Sequence, residues 1–159
     1  MATSSFTAAR AFRAGFLVGA QSVVDTDVVT VTSGAPGPEF GNVTDWVSLM
    51  DIRSEQSPGP LGTSRPRDEI LTLTVWIGAF RPGGVDQEQV ASDAAYALLE
   101  ALDHYTRQTD TTVGGTVWWC NLTGFQSAGA TAESLLDGGT GRLIEIEATF
   151  TARVRITGA

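Results

Sequence analysis

RLIEIEATFTARVRI, running from Arg142 to Ile156, constrains the fold more than any other stretch of this chain. Ile144, Ile146, Ala148, Phe150, Ala152, Val154 and Ile156 alternate with polar residues, and a period of two over that length specifies a half-buried β-strand. One face must meet a core. The other is sorted by charge: Glu145 and Glu147, then Thr149 and Thr151, then Arg153 and Arg155. The sorted face spans roughly 33 Å at the usual rise per residue.

A strand of this kind needs partners, and the rest of the chain supplies them. SFTAARAFRAGFLVGAQSVV repeats Ala9, Phe12, Phe16, Ala20 and Val23 at three- and four-residue steps, which predicts a helix with Ser4 or Ser5 as its N-cap. VVTVT (Val28 to Thr32) and DWVSLMDIR (Asp45 to Arg53) read as strands. Leu71, Leu73, Val75 and Ile77 share one face of a third strand. A second helix follows from a capping-box-like Asp86 and Gln89, with Val90, Ala94, Ala97/Leu98, Ala101/Leu102 and Tyr105 as its apolar stripe. GTVWWCNLTGF (Gly115 to Phe125) makes another strand. The segments at 54–67 and 126–141, rich in Ser, Gly, Pro and Ala, read as long mobile loops. The expectation is one domain over residues 1–159. Its fold class is α+β: a mainly antiparallel sheet of about four to five strands with two helices packed on it.

Composition removes several kinds of chemistry. All ten basic residues are arginine, so mechanisms that need a lysine amine are excluded. Eighteen acids against ten arginines leave a formal charge of −8, which disfavours non-specific nucleic-acid binding. Cys120 stands alone and alternates with Trp118 and Leu122, as a buried inert thiol would. No apolar run is long enough to span a membrane, and GFLVGA is too short for a secretory signal. The Asn-X-Thr sequons at Asn42 and Asn121 are then chance matches. His104 lies between Asp103 and Tyr105 on a helix surface, without a nucleophile in any recognisable motif. Glu145 and Glu147, about 7 Å apart on one strand face, have the spacing of a hard-cation or glycosidase pair. Exposed strands place carboxylates at this spacing routinely, so neither a metal nor a cofactor is expected.

Four tryptophans complicate a one-layer reading. Trp118 and Trp119 are adjacent, so they fall on opposite faces, and Trp76 lies opposite the Leu71/Leu73/Val75 face. Large aromatics on both sides of a sheet point to burial of the second side against a neighbouring subunit.

The order of these elements resembles the tail terminator proteins of long-tailed, non-contractile (siphovirus-type) bacteriophages. The resemblance spans nearly the whole chain: the opening helix, WVSLMDIRSEQ, SRPRDEILTLTVWI, the helix ASDAAYALLEALDHYTR, TVGGTVWWCNLTGF and the closing strand. It implies a structural virion protein that assembles into a ring, typically a hexamer, at the head–tail junction. The ring would sit on the last ring of the major tail tube protein and end tube polymerisation. Its far surface would meet head-completion or connector proteins, with genomic DNA passing through the lumen without specific binding. Assembly would take place in the bacterial host cytoplasm, with no catalysis. Alternatives are another neck, tail-completion or head-closure component, or a small cytosolic ligand-binding domain or enzyme.

The residues themselves suggest where such a ring makes contact. A closed ring requires two different, complementary patches per subunit. Arg153 and Arg155 are candidates for one and Glu145 and Glu147 for the other, with Trp76 and Trp119 as apolar contacts. Solvent or the lumen is the competing environment for that face. Pro58, Leu61, Arg65, Arg67, Leu135 and Leu136, in the two predicted loops, are candidates for contacts with docking partners.

Overall fold

The computed structural model describes residues 6–34, 43–58, 66–133 and 140–157. The elements run α1 (Ala9–Val23), β1 (Val29–Ser33), β2 (Asp45–Pro58), β3 (Arg67–Pro82), α2 (Gln87–His104), β4 (Trp119–Glu133) and β5 (Thr140–Ile156). The strands form one sheet in the order β1-β2-β3-β5-β4. Three neighbouring pairs are antiparallel, and β1 alone runs parallel to its neighbour β2. The fold is the expected α+β class, with a mainly antiparallel five-stranded sheet whose one parallel pair lies at the β1 edge.

Both helices lie on one face of the sheet, and the core forms between them. Phe12, Phe16 and Ala20 of α1 meet Leu71, Leu73, Val75, Ile77, Ile146, Ala148, Phe150 and Ala152, all fully buried. Phe16 stands edge-on to Phe150 at 5.0 Å and to Phe12 at 6.0 Å. Gly19 lets α1 approach Tyr105, whose ring atoms would lie 2.3 Å from an added Cβ. The stripe of α2 is turned by one position from the expected one. Ala91, Ala95, Leu98, Leu99 and Leu102 are buried, whereas Val90 is 46% exposed. Alanines on adjacent positions make the two stripes nearly equal in hydrophobicity, and packing on β3 and β5 selects between them. A π-helical turn, Tyr105–Thr109, ends the helix.

The predicted caps are replaced by other contacts. Asp86 makes no side-chain cap bond, and Gln89 donates to Asp93 instead. Ser4 and Ser5 lie outside the described residues. The start of α1 is held from across the chain: Glu69 Oε1 accepts from the Ala8 amide at 2.8 Å, and Thr7 Oγ1 accepts from the Ala9 amide at 3.1 Å.

The described parts of the two predicted loops are almost entirely strand. Ser54 to Pro58 continues β2 and pairs with β3 from Leu71 back to Arg67. Gln126 to Glu133 continues β4 and pairs with β5 from Glu147 back to Thr140. Neither stretch alternates in hydrophobicity, because almost all its described side chains are exposed on both faces. Ladder hydrogen bonds, not burial, make them strands. The connections themselves, 59–65 and 134–139, are outside the described residues and take with them Leu61, Arg65, Leu135 and Leu136. Pro58 and Arg67 face each other as the last described pair of the first hairpin.

Register fixes where the hairpins point. Arg67 pairs with Ile156 and Pro82 with Gly141, so β3 and β5 run alongside each other for about 50 Å at the usual rise. The β2–β3 connection lies at one end of that length and the β4–β5 connection at the other. One subunit therefore presents a hairpin at each end of its sheet.

Candidate recognition surface on the helix-free face

No described helix covers the second face of the sheet. Its rows follow from the strand register. Glu145 lies beside Gly78 and Ala128, Glu147 beside Trp76 and Gln126, and Arg153 beside Ile70 and Trp119. The middle is lined with threonine, where the Thr123 and Thr151 hydroxyls are 2.9 Å apart.

The tryptophans are settled by this geometry. Trp46 is only 4% exposed, lying over Gly78, where an added Cβ would come within 1.9 Å of its ring. Trp76 packs edge-on against it at 5.2 Å and is half-buried. Trp119 is half-buried beside Arg153. Trp118, which alternates with Cys120 in the sequence, is nonetheless 50% exposed. β4 starts only at Trp119 because Gly114 and Gly115 adopt positive φ in the preceding turn, so the alternation does not reach back to 118. Val113 and Val117 fill the core in its place. The glycine pair three residues before the tryptophan was the available signal.

The basic end of the face is internally organised. Arg155 donates from Nε to Asp68 Oδ1 at 2.8 Å and from Nη2 to Oδ2 at 3.4 Å, while Arg153 Nη2 lies 3.5 Å from Asp68 Oδ2. The guanidinium of Arg155 also sits 5.4 Å from the centre of the Trp118 ring. Hydrogen bonding from Arg155 holds the Asp68 carboxyl below its ordinary range, and Asp68 in turn raises Arg155. Both predicted arginines thus share one carboxylate of their own chain, which the sequence reading did not assign to them. The cluster remains accessible, with the Arg153 side chain 46% exposed.

The acidic end is different. Glu145 is half-buried and Glu147 exposed, and neither forms an ion pair among the described residues. Among those residues, no group of three or more His, Cys, Asp or Glu is arranged to hold a metal ion.

On the helix side, Val23, Ala97, Glu100, Ala101, His104 and Arg107 line an open groove of about 500 Å³. His104 is exposed at its rim, as a solvated helix residue should be. Cys120 is fully buried, and burial pushes its thiol up to about 12, so it is not a nucleophile at neutral pH. No described helix is long and apolar enough to cross a membrane.

No family model matches the chain, and no curated protein matches it. Among solved structures it is similar to a chain of the virion of a native gene transfer agent particle. That likeness has a TM-score of 0.45 and 19% identity, covering 95% of this chain and 99% of that one. At this distance the role of the chain has to be argued from its own residues.

Proposed function

We propose that this protein is a structural virion component of the tail terminator type: a ring-forming subunit that caps the tail tube, stops its growth and joins the tail to the head connector. The observation that carries the reading is the two-ended subunit. Hairpins at opposite ends of one long sheet give distinct upper and lower contact sites, as a piece seated between tube and connector requires. The order of elements along the chain, shared with tail terminators, supports the same reading. The helix-free face, with its arginine and glutamate ends, supplies complementary patches for a head-to-tail ring. DNA would pass through the lumen of that ring, and no catalytic step is involved.

Because Arg153 and Arg155 already hold Asp68, the acidic end is the cleaner place to test ring contacts. Changing Glu145 and Glu147 together to glutamine removes two charges without orphaning an intrachain partner. The double variant is expected to melt like the parent but to sediment as smaller species at physiological salt. Rings of unchanged size and affinity would remove these carboxylates from the interface. For the function itself, parent protein added to polymerising tail tube protein should arrest tube length. Tubes that grow on unaffected would refute the capping role.

A further inference from the structure

The sheet has two open edges, β1 and β4. Soluble proteins usually blunt such edges with charge or proline, because an unpaired row of N–H and C=O groups recruits another strand. Among the described residues neither edge strand carries a charge or proline of its own along these stretches; a register shift at Leu122/Gly124 precedes the β4 stretch, and Glu88 of α2 lies beside Gly129. β4 has no charged residue and no proline from Trp119 to Ala132, and every residue from Thr123 to Ala130 is exposed. Ser127, Ala128, Gly129 and Ala130 leave the backbone open to close approach. β1 is also free of charge from Val29 to Ser33; Val29 is buried, Thr30 to Thr32 are half-buried and Ser33 is exposed. In a chain of net charge −8, these strips are where two copies meet with least repulsion.

The register shows that the two edges match. Val29 pairs with Asp45, Asp45 with Ala79, Ala79 with Ile144, and Ile144 with Gly129; Ser33 leads in the same way through Leu49, Val75 and Ala148 to Phe125. β1 therefore stands level with residues 125–129 of β4, and the two strands run in opposite directions. A copy rotated about an axis along the strands brings its β1 antiparallel to this β4, without any shift in height. Two different edges meeting in this way form a heterologous contact, which can close a ring.

We infer that β1 of one copy adds to the β4 edge of the next along Phe125–Gly129, so that the sheet runs unbroken from subunit to subunit. This rests on the ring reading above and adds a backbone joint at the sheet edges to the side-chain contacts proposed for the helix-free face. Charge favours the match. Arg13, which donates to Ser33 Oγ at 3.0 Å and to the Leu49 and Met50 carbonyls, comes level with the exposed Phe125 and its edge-on neighbour Tyr96. Five strands at about 4.8 Å span about 24 Å, so six sheets joined edge to edge enclose a lumen about 46 Å across at the backbone.

Two double variants test the joint. Ser127→Lys with Ala128→Lys puts a lysine on each face of the β4 edge, and is expected to raise the concentration for half-assembly at least about tenfold while the monomer melts as before. Thr30→Cys with Ala128→Cys places one thiol on each edge, four strand spacings or about 19 Å apart within a subunit, too far for an intrachain disulfide. Oxidation should yield a ladder of cross-linked multimers ending at ring size. Parent rings that survive the lysines and give no cross-links would overturn the joint and leave the ring reading standing. Cross-linked dimers alone would overturn it in favour of two-fold pairing, and a parent that never forms rings would overturn both.

Discussion

Replacing Glu69 by alanine is expected to destabilise the subunit by about 3–5 kcal/mol, because several buried donors lose a charged acceptor at about 1–3 kcal/mol each. Glu69 is fully buried at the base of the β2–β3 hairpin. Its carboxylate accepts from Thr7 Oγ1 at 2.5 Å, the Ala8 amide at 2.8 Å, Ser54 Oγ at 2.5 Å and Gln56 Nε2 at 2.9 Å. One side chain thus ties the start of α1 to β2 and β3, and removing it takes their shared carboxylate acceptor from four donors. At roughly 2–4 °C per kcal/mol for a chain of this size, the melting temperature should fall by about 6–20 °C. Glu55→Ala, which removes an exposed carboxylate on the neighbouring strand, should stay within about 0.5 kcal/mol. Equal melting of the two variants would contradict the network.

The same carboxylate sets a pH dependence. Burial pushes the Glu69 carboxyl up, but hydrogen bonds from Ser54, Thr7, Ala8 and Gln56 outweigh it, and the group titrates below its ordinary value of 4.5. A depressed folded-state value contributes stability that is fully present above the unfolded value. That contribution is lost as pH falls through the folded one. Thermal melts of the parent should therefore drop in the acid range below about pH 4.5, and Glu69→Gln should flatten that part of the profile.

Phe150→Ala is expected to cost about 4 kcal/mol, within the range for emptying a buried aromatic site. Phe150 is fully buried on β5 between Leu73 and Leu122, and carries the edge-on contact with Phe16 that fastens α1 to the sheet. The loss combines transfer of the ring to water with a cavity bounded by rigid strands. Phe150→Leu, which refills most of the space, should cost no more than about 1.5 kcal/mol. Denaturant midpoints for the two variants measure the difference, and similar midpoints would mean that the site collapses around the missing ring.

Elements that bury one face were legible in the sequence. The alternation of β5 and β3, and the Phe12/Phe16/Ala20 stripe of α1, follow directly from burial periods. What escaped was structure made by pairing rather than burial. SEQSP and QSAGATA have no apolar period, yet they are strands because β3 and β5 lie beside them. Glu69 escaped for a related reason: in RDEILTL it looks like a polar lead-in to a strand. Its partners Thr7 and Ser54 are 62 and 15 residues away in sequence. On the recognition face, the sorting of Glu145, Glu147, Arg153 and Arg155 could be read from spacing. Asp68 as the shared partner of both arginines could not, since it depends on the β3–β5 register. Trp118 escaped through a misplaced strand start.

The most direct measurement of the central claim is electron microscopy of particles assembled without this protein. A tail terminator's absence predicts tails that overrun their normal length and fail to join heads. Tails of normal length attached to heads would contradict it.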